Sequence, residues 1–371
     1  MPSTALKKFL ALESAAGIIL FIAAVAAILM KNSLFAPFYD SLLNVPGLAH
    51  GINDGLMSIF FFLVGLEIKR EFSAGELSSK ENALLPIVAA LGGMIFPAIV
   101  YLIVNLNHPE VWKGWAIPCA TDIAFSLGIL SLLGSRVRTS LKVFLTALAI
   151  IDDLGAIVII AFFYTANLDL NYLIFAGCCC AALLAANKSG ILNKFIYVLL
   201  ALTLWYLILK SGVHATIAGV LAALFVPYSK QGRSPLSELE HFLHPYVAYF
   251  ILPVFAFFNA GINLGGIDSS IFLSPLTLGI GLGLLLGKQL GVMASSWLSI
   301  RIGICKMPSG SSWKEFYGIA ILTGVGFTMS LFIDHLAFSD PALDVPARLG
   351  ILSGSLLAGL AGYLVLQRAV K

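Results

Sequence analysis

Apolar runs of about twenty residues recur along this chain, separated by short polar loops. A backbone in hydrocarbon must satisfy its own hydrogen bonds, so runs of this length read as membrane-spanning helices. The chain is 59% hydrophobic and only 11% charged, against roughly 25% charged in a soluble domain. The expected fold is an all-α polytopic membrane protein.

Length and hydropathy place about twelve spans near 11–30, 52–72, 84–105, 115–133, 141–164, 170–186, 192–209, 211–227, 246–264, 276–300, 316–333 and 348–368. The loops leave no room for a soluble domain, so residues 1–371 are expected to form one membrane domain. Of the 22 Lys and Arg, four (Lys31, Lys113, Lys210 and Arg348) fall in loops of one side and Lys288 falls inside a span. All the others fall in loops of the opposite side, which places both termini in the cytoplasm. The net charge of +3 is spread over many loops, so no nucleic-acid partner is expected. Lys7 and Lys8, followed by apolar residues to Met30, have the outline of a signal peptide. The stretch is long enough to span, so an uncleaved first helix is expected instead. Five cysteines (Cys119, Cys178, Cys179, Cys180 and Cys305) lack paired-ligand spacing and read as small core residues.

Against this apolar background four ionisable groups stand out. Asp122 lies in WAIPCATDIAFSLG, Asp152 and Asp153 in LTALAIIDDLGAIVII, and Lys288 in GIGLGLLLGKQLGVMASSW. Each costs about 2.5–3.5 kcal/mol at the centre of a membrane helix on insertion scales. A chain that carries four is expected to bind ions or move charge.

Two spans look interrupted. The fourth carries Pro118 just before Thr121 and Asp122, and the eleventh reads AILTGVGFTMS, with Gly324 and Gly326 at its centre. Proline removes a helical hydrogen bond and glycine weakens a helix. The two are seven spans apart and so cross the membrane in opposite directions. That fits an inverted repeat of spans three to five and ten to twelve, approximately 84–164 and 276–368. Ordinary proline and glycine usage in membrane helices is the competing explanation. In the tenth span Gly279, Gly283, Gly287 and Gly291 fall near one helix face, a seam for close packing beside Lys288.

Asp152 and Asp153 are adjacent, so on a helix they point about 100° apart. One can face a water-filled path while the other faces protein. A carboxylate that exchanges its proton near neutral pH can exchange it for a hard cation, and sodium and lithium prefer oxygen ligands. A structural ion pair or helix cap is the alternative. Asp122 sits at a helix break, where it can neutralise the positive end of a helix, and Thr121 adds a hydroxyl. Lys288 needs an anion, and Asp122, Asp152 and Asp153 are the ones available. Whether that pair is static or breaks during transport is open at this level. At the cytoplasmic edge lie Glu67, Lys69, Arg70 and Glu71, and then Glu240, His241 and His244. They are a solvated membrane edge or a pH-responsive cluster. His214 and Asp54 are weaker candidates. There is no nucleotide-binding glycine loop, no metalloprotease motif and no nucleophile–histidine arrangement, so neither an enzyme nor a cofactor is expected.

Seven stretches together carry a family resemblance: FFLVGLEIKREF, GWAIPCATDIAFSLG, FLTALAIIDDLGAI, LKSGVHATIAGV, LEHFLHPYVAYFILPVFAFFNAGINL, GKQLG and GVGFTMSLFI. They run in order from about Gly51 onward, and they resemble the NhaA family of sodium/proton antiporters. The resemblance implies twelve helices, the fourth and eleventh unwound and crossing at mid-membrane. It implies electrogenic exchange of cytoplasmic sodium or lithium for more than one external proton, activated at alkaline pH, in a bacterial inner membrane. By motif position Asp153 resembles the principal cation ligand. Asp152 resembles the partner of Lys288 in proton transfer, and Asp122 with Thr121 the pair at the crossing. Glu67, Arg70, Glu71, Glu240, His241 and His244 resemble the pH-responsive cluster. His214 matches a pH-response position and Asp54 a polar one.

Two stretches depart from the family pattern. About twenty residues, KNSLFAPFYDSLLNVPGLAHGIND, separate the first two spans. They are too few for the β-hairpin that the best-known members place at their dimer interface. A homodimer is compatible with the chain but is not implied by the resemblance. The loop after the eleventh span, with Asp334, His335, Asp340 and Asp344, is also unusually acidic.

The expected activity is sodium (or lithium)/proton antiport by alternating access, with no cofactor and with the lipid bilayer and the ions Na+, Li+ and H+ as partners. A sodium-coupled symporter is the alternative, though no arginine or aromatic–polar cluster is present to hold an organic substrate. An ion channel would lack coupling.

Overall fold

In a computed structural model of the chain, residues 14–165, 168–191, 193–228, 234–265 and 268–370 are described. Among them every regular element is a helix. The basic residues Lys7, Lys8, Lys230, Arg233 and Lys371, and with them the signal-peptide alternative, lie outside the described residues.

The main helices are α1 (Ala15–Lys31), α2 (Ala36–Leu43), α3 (Leu48–Ala74), α4 (Lys80–Val104), α5 (Ile123–Leu132) and α6 (Thr139–Phe163). There follow α7 (Leu170–Lys188), α8 (Lys194–Lys210), α9 (Thr216–Phe225), α10 (Pro235–Asn259) and α11 (Pro275–Arg301). The series ends with α12 (Trp313–Leu322), α13 (Phe327–Ala337) and α14 (Pro341–Ala369). A 3₁₀ segment, Pro109–Cys119, precedes α5. Their starts are written locally. Ser274–Pro275 and Asp340–Pro341 place a capping side chain at N-cap and a proline at N1 of α11 and α14. Ser312 and Glu315 form a capping box on α12.

Among the described residues seven helices are long and apolar enough to cross a membrane, or up to ten if each bent pair counts as one span. The pairs are α1 with α2, bent by 113°, the 3₁₀ segment with α5, by 47°, and α12 with α13, by 41°. Large apolar side chains lie on the outside, among them Phe162, Phe195 and Leu170, as a lipid-facing surface requires. The eighth expected span is shorter than its hydropathy indicated. Ser211, Gly212 (φ +84°) and His214 are turned out of the helix, and α9 has only 10 residues. Cys178 also departs from expectation. It is exposed on an outward face of α7, while Cys119, Cys179 and Cys305 are buried. The connection between the first two spans contains α2 and no strand among the described residues.

The chain forms two compact units. One comprises Met1–Leu42, Ser79–Ala156 and Ala256–Lys371, the other Leu43–Ser78 and Ile157–Phe255. In the first unit α11 packs on α4 through the glycine seam. A Cβ on Gly287 would come 2.5 Å from the Pro97 Cα, and one on Gly283 would come 2.7 Å from the Pro118 Cβ. Gly291 meets the Gly92 backbone in the same way. A π-helical turn, Gly283–Gly287, immediately precedes Lys288, and such turns are frequent at functional sites. In the second unit α3 packs on α9, with Gly219 against the backbone of Ser58 and Phe62. Leu183, Leu204 and Ile208 fill the core between α7 and α8.

Candidate functional site

Two helix breaks of the first unit meet, the one between the 3₁₀ segment and α5 and the one between α12 and α13. The Asp122 amide donates to the Val325 carbonyl at 2.6 Å, joining one break to the other through the backbone. Asp122 is the N-cap of α5, its Oδ1 accepting the Phe125 amide at 2.8 Å. Its Oδ2 accepts the Thr328 amide at 3.0 Å and also the Thr328 hydroxyl. One carboxylate thus caps the N-termini of both α5 and α13, where two positive helix ends converge.

The serines repeat this exchange. Ser126, in the first turn of α5, donates to the Leu322 carbonyl at the end of α12, at 3.1 Å. Ser330, in the first turn of α13, donates to the Ile117 carbonyl near the end of the 3₁₀ segment, at 2.7 Å. The Ser355 hydroxyl accepts the Gly326 and Phe327 amides at 3.2 and 3.0 Å. Buried backbone groups released by the breaks are therefore re-paired, as a bilayer interior demands. Neither Gly324 nor Gly326 is among the positive-φ glycines. They serve close approach instead, since a Cβ on Gly324 would press on the Leu284 carbonyl and one on Gly326 would come 2.8 Å from Leu284 Cδ2.

Beside the crossing lies the buried charge. Lys288 Nζ donates to Asp152 Oδ2 at 2.5 Å, with neither side chain exposed. Thr121 Oγ1 lies 2.7 Å from the same Asp152 oxygen and 2.8 Å from the Thr323 carbonyl. A hydroxyl has one proton, so Thr121 donates to one of these at a time and can turn between them. The other Asp152 oxygen, Oδ1, has no hydrogen-bond partner among the described residues. Asp153 is 1% exposed on the next position of α6. All five intramembrane candidates (Thr121, Asp122, Asp152, Asp153 and Lys288) are buried in this unit.

In the second unit, Arg70 joins two of the expected carboxylates. It lies 2.8 Å from Glu71 Oε1 and 2.9 Å from Glu240 Oε1, and Glu67 adjoins the same three residues. Lys69 leaves this cluster. Its Nζ donates to the Leu224 and Val226 carbonyls at 2.7 and 2.5 Å, closing the C-terminus of α9. His241 and His244 are exposed, with His241 Nδ1 2.7 Å from the Ser237 carbonyl. His214 Nε2 lies 2.9 Å from the Tyr164 carbonyl. Asp54 offers its carbonyl to the Ser58 hydroxyl.

Sequence reasoning passed over Thr328, Ser126, Ser330 and Ser355. A signal for two of them existed: each serine lies four residues after the residue at its break, Ser126 after Asp122 and Ser330 after Gly326.

A family signature described as Na+/H+ antiporter 1 matches residues 7–366. This chain belongs to that family. An antiporter of Rhodospirillum rubrum, named Na(+)/H(+) antiporter NhaA, is 54% identical, the alignment covering 99% of this chain and 98% of the relative. Relatives of the same name from Aliivibrio salmonicida (51%, covering 98% of each chain) and Psychrobacter cryohalolentis (50%, covering 99% of this chain and 95% of the relative) agree. As a member of this antiporter family, the chain is a multi-pass membrane transporter and not an enzyme, and the symporter alternative finds no support among these relatives.

Proposed function

We propose that the chain exchanges sodium or lithium for protons across a bacterial inner membrane, with both termini cytoplasmic and residues 1–371 acting as one transporter domain. The observation that carries this reading is the buried Lys288–Asp152 pair with Asp153 beside it, at the junction of two broken helices. The cation is substrate here. Asp153 would supply the main oxygen ligand, with the open Oδ1 of Asp152 next to it. Burial of these carboxylates makes an unbalanced charge costly, so each must be matched by a cation, by a proton or by Lys288. Sodium and protons therefore compete for the same oxygens, and mutually exclusive occupancy couples the two fluxes.

Lys288 and Thr121 complete the cycle. When a proton neutralises Asp152, the ammonium loses its partner and the Thr121 hydroxyl can turn to the Thr323 carbonyl, inside the α12–α13 break. The state of the carboxylate is thereby communicated to the helix break. The paired breaks support an inverted repeat over approximately 84–164 and 276–368, and alternating access follows from rocking such repeats about a fixed site. The Glu67, Arg70, Glu71 and Glu240 cluster, with the exposed His241 and His244 and the part-buried His214, would set the pH response. More than one proton per sodium makes the exchange electrogenic.

The test is sodium-induced current from proteoliposomes on a solid support, across pH and with or without a proton gradient. Antiport gives a transient current whose apparent sodium affinity falls as pH drops. Current indifferent to protons would overturn the reading.

A further inference from the structure

A cavity lies at the far end of α13, in the unit that also holds Asp152 and Lys288. Its volume is about 200 Å³, and Asn259, Asp334, His335, Ser339, Asp344 and Arg348 are among its lining residues. Asp334, on the last turn of α13, is 4% exposed, and its Oδ1 has no hydrogen-bond partner among the described residues. A buried carboxylate oxygen left in this way is costly unless something binds it.

The local charge says what that something is. Arg348 is already engaged, with Nη2 3.3 Å from Asp344 Oδ2 and Nη1 3.4 Å from the Gly261 carbonyl. Asp334 and Asp344 line the cavity with one guanidinium, Arg348, and the His335 imidazole, and the guanidinium is taken up by Asp344. The Asp344 side chain is 41% exposed, which opens the cavity to water. Its volume admits an ion together with several waters. No group of three or more His, Cys, Asp or Glu able to hold a metal lies among the described residues. One carboxylate, neutral oxygens such as those of Asn259 and Ser339, and water suit a hard monovalent cation.

We propose that this cavity is an accessory binding site for an alkali cation, held by Asp334 and distinct from the Asp152–Asp153 site. It lies at the opposite end of the broken span from the Ser312–Glu315 cap, the end where the distribution of basic residues predicts the external face. A cation there satisfies Asp334 and ties α13 to the first turns of α14, which carry Asp344 and Arg348. External sodium would thus act on the broken span from the side opposite its helix break.

The experiment is equilibrium binding of radioactive sodium to the purified full-length protein at saturating concentration. Two ions per chain are expected, falling to one in Asp334→Asn and to one in Asp153→Asn. An Asp334→Asn protein that binds as many ions as the unsubstituted chain overturns the proposal. If Asp153→Asn still binds two and Asp334→Asn loses one, the role given to Asp153 fails and the accessory site stands. Should Asp334→Asn not fold, the Asp153→Asn protein decides the matter. A sodium-specific rise in its melting temperature, absent with choline, supports the site, and equal behaviour in the two salts overturns it.

Discussion

Lys288 donates to Asp152 Oδ2 at 2.5 Å with neither side chain exposed, and the Thr121 hydroxyl reaches the same oxygen at 2.7 Å. The lysine charge, the carboxylate and the helix crossing therefore form one connected unit. Replacing Lys288 by alanine strands a buried aspartate, and breaking such a pair costs about 3–5 kcal/mol. Lys288→Ala should lower the melting temperature of the purified protein and alter its sodium response. An unchanged melting curve together with an unchanged pH profile would refute the pairing.

Asp153→Asn removes a ligand charge while keeping the side-chain volume. Exchange in everted vesicles should be abolished, whereas yield and melting temperature should stay near those of the parent. Near-normal exchange would remove Asp153 from the binding site.

Asp122 caps two helices at once, so its truncation should exceed the loss of one cap. Each lost cap costs about 1 kcal/mol, giving about 2 kcal/mol for Asp122→Ala. Asn offers one carbonyl oxygen in place of two carboxylate oxygens. It can accept from Phe125 or from Thr328 but satisfies both poorly, so Asp122→Asn should fall between parent and Ala in thermal stability. Equal stability of all three proteins would contradict the double cap.

The glycine seam between α4 and α11 should be intolerant of volume. A Cβ at Gly287 meets the Pro97 Cα at 2.5 Å, and backbone cannot move aside as a flexible side chain can. Overpacking of this kind costs about 1–3 kcal/mol. Gly287→Ala should lower thermal stability, and because Lys288 is the next residue it should also lower sodium affinity. Gly177→Ala is the control, since nothing lies within 4 Å of a Cβ there.

Arg70 bridges Glu71 and Glu240. A double-mutant cycle on Arg70→Ala and Glu240→Ala should show coupling of about 0.5–3 kcal/mol in stability. Additive effects would dissolve the bridge and with it the cluster's claim to act as a unit in the pH response.

Much of this was legible in the chain. Apolar runs are read directly because the bilayer imposes the same length and polarity on every span. Asp122, Asp152, Asp153 and Lys288 were conspicuous because ionisable groups are rare in such runs, and the glycine seam was visible from its four-residue spacing. Other features were not. His241 and His244 share a stretch with Glu240, yet only Glu240 turns inward to Arg70, because helix phase and packing set side-chain direction. Lys69 adjoins Arg70 in sequence but is drawn to carbonyls at the end of α9, a partner far along the chain. The eighth span was overestimated because hydropathy counts Val213 and Ala215 as apolar without seeing that the chain has turned.

By itself the sequence determined that this protein spans a membrane, where its charges lie and where two helices break, since these follow from local composition and backbone chemistry. Only the tertiary structure decided that Lys288 chooses Asp152, that Asp122 caps two helices, and that Asp334, Asp344 and Arg348 share a cavity. Those pairings join positions up to 206 residues apart, and their geometry arises from helices packing together, which no local pattern encodes.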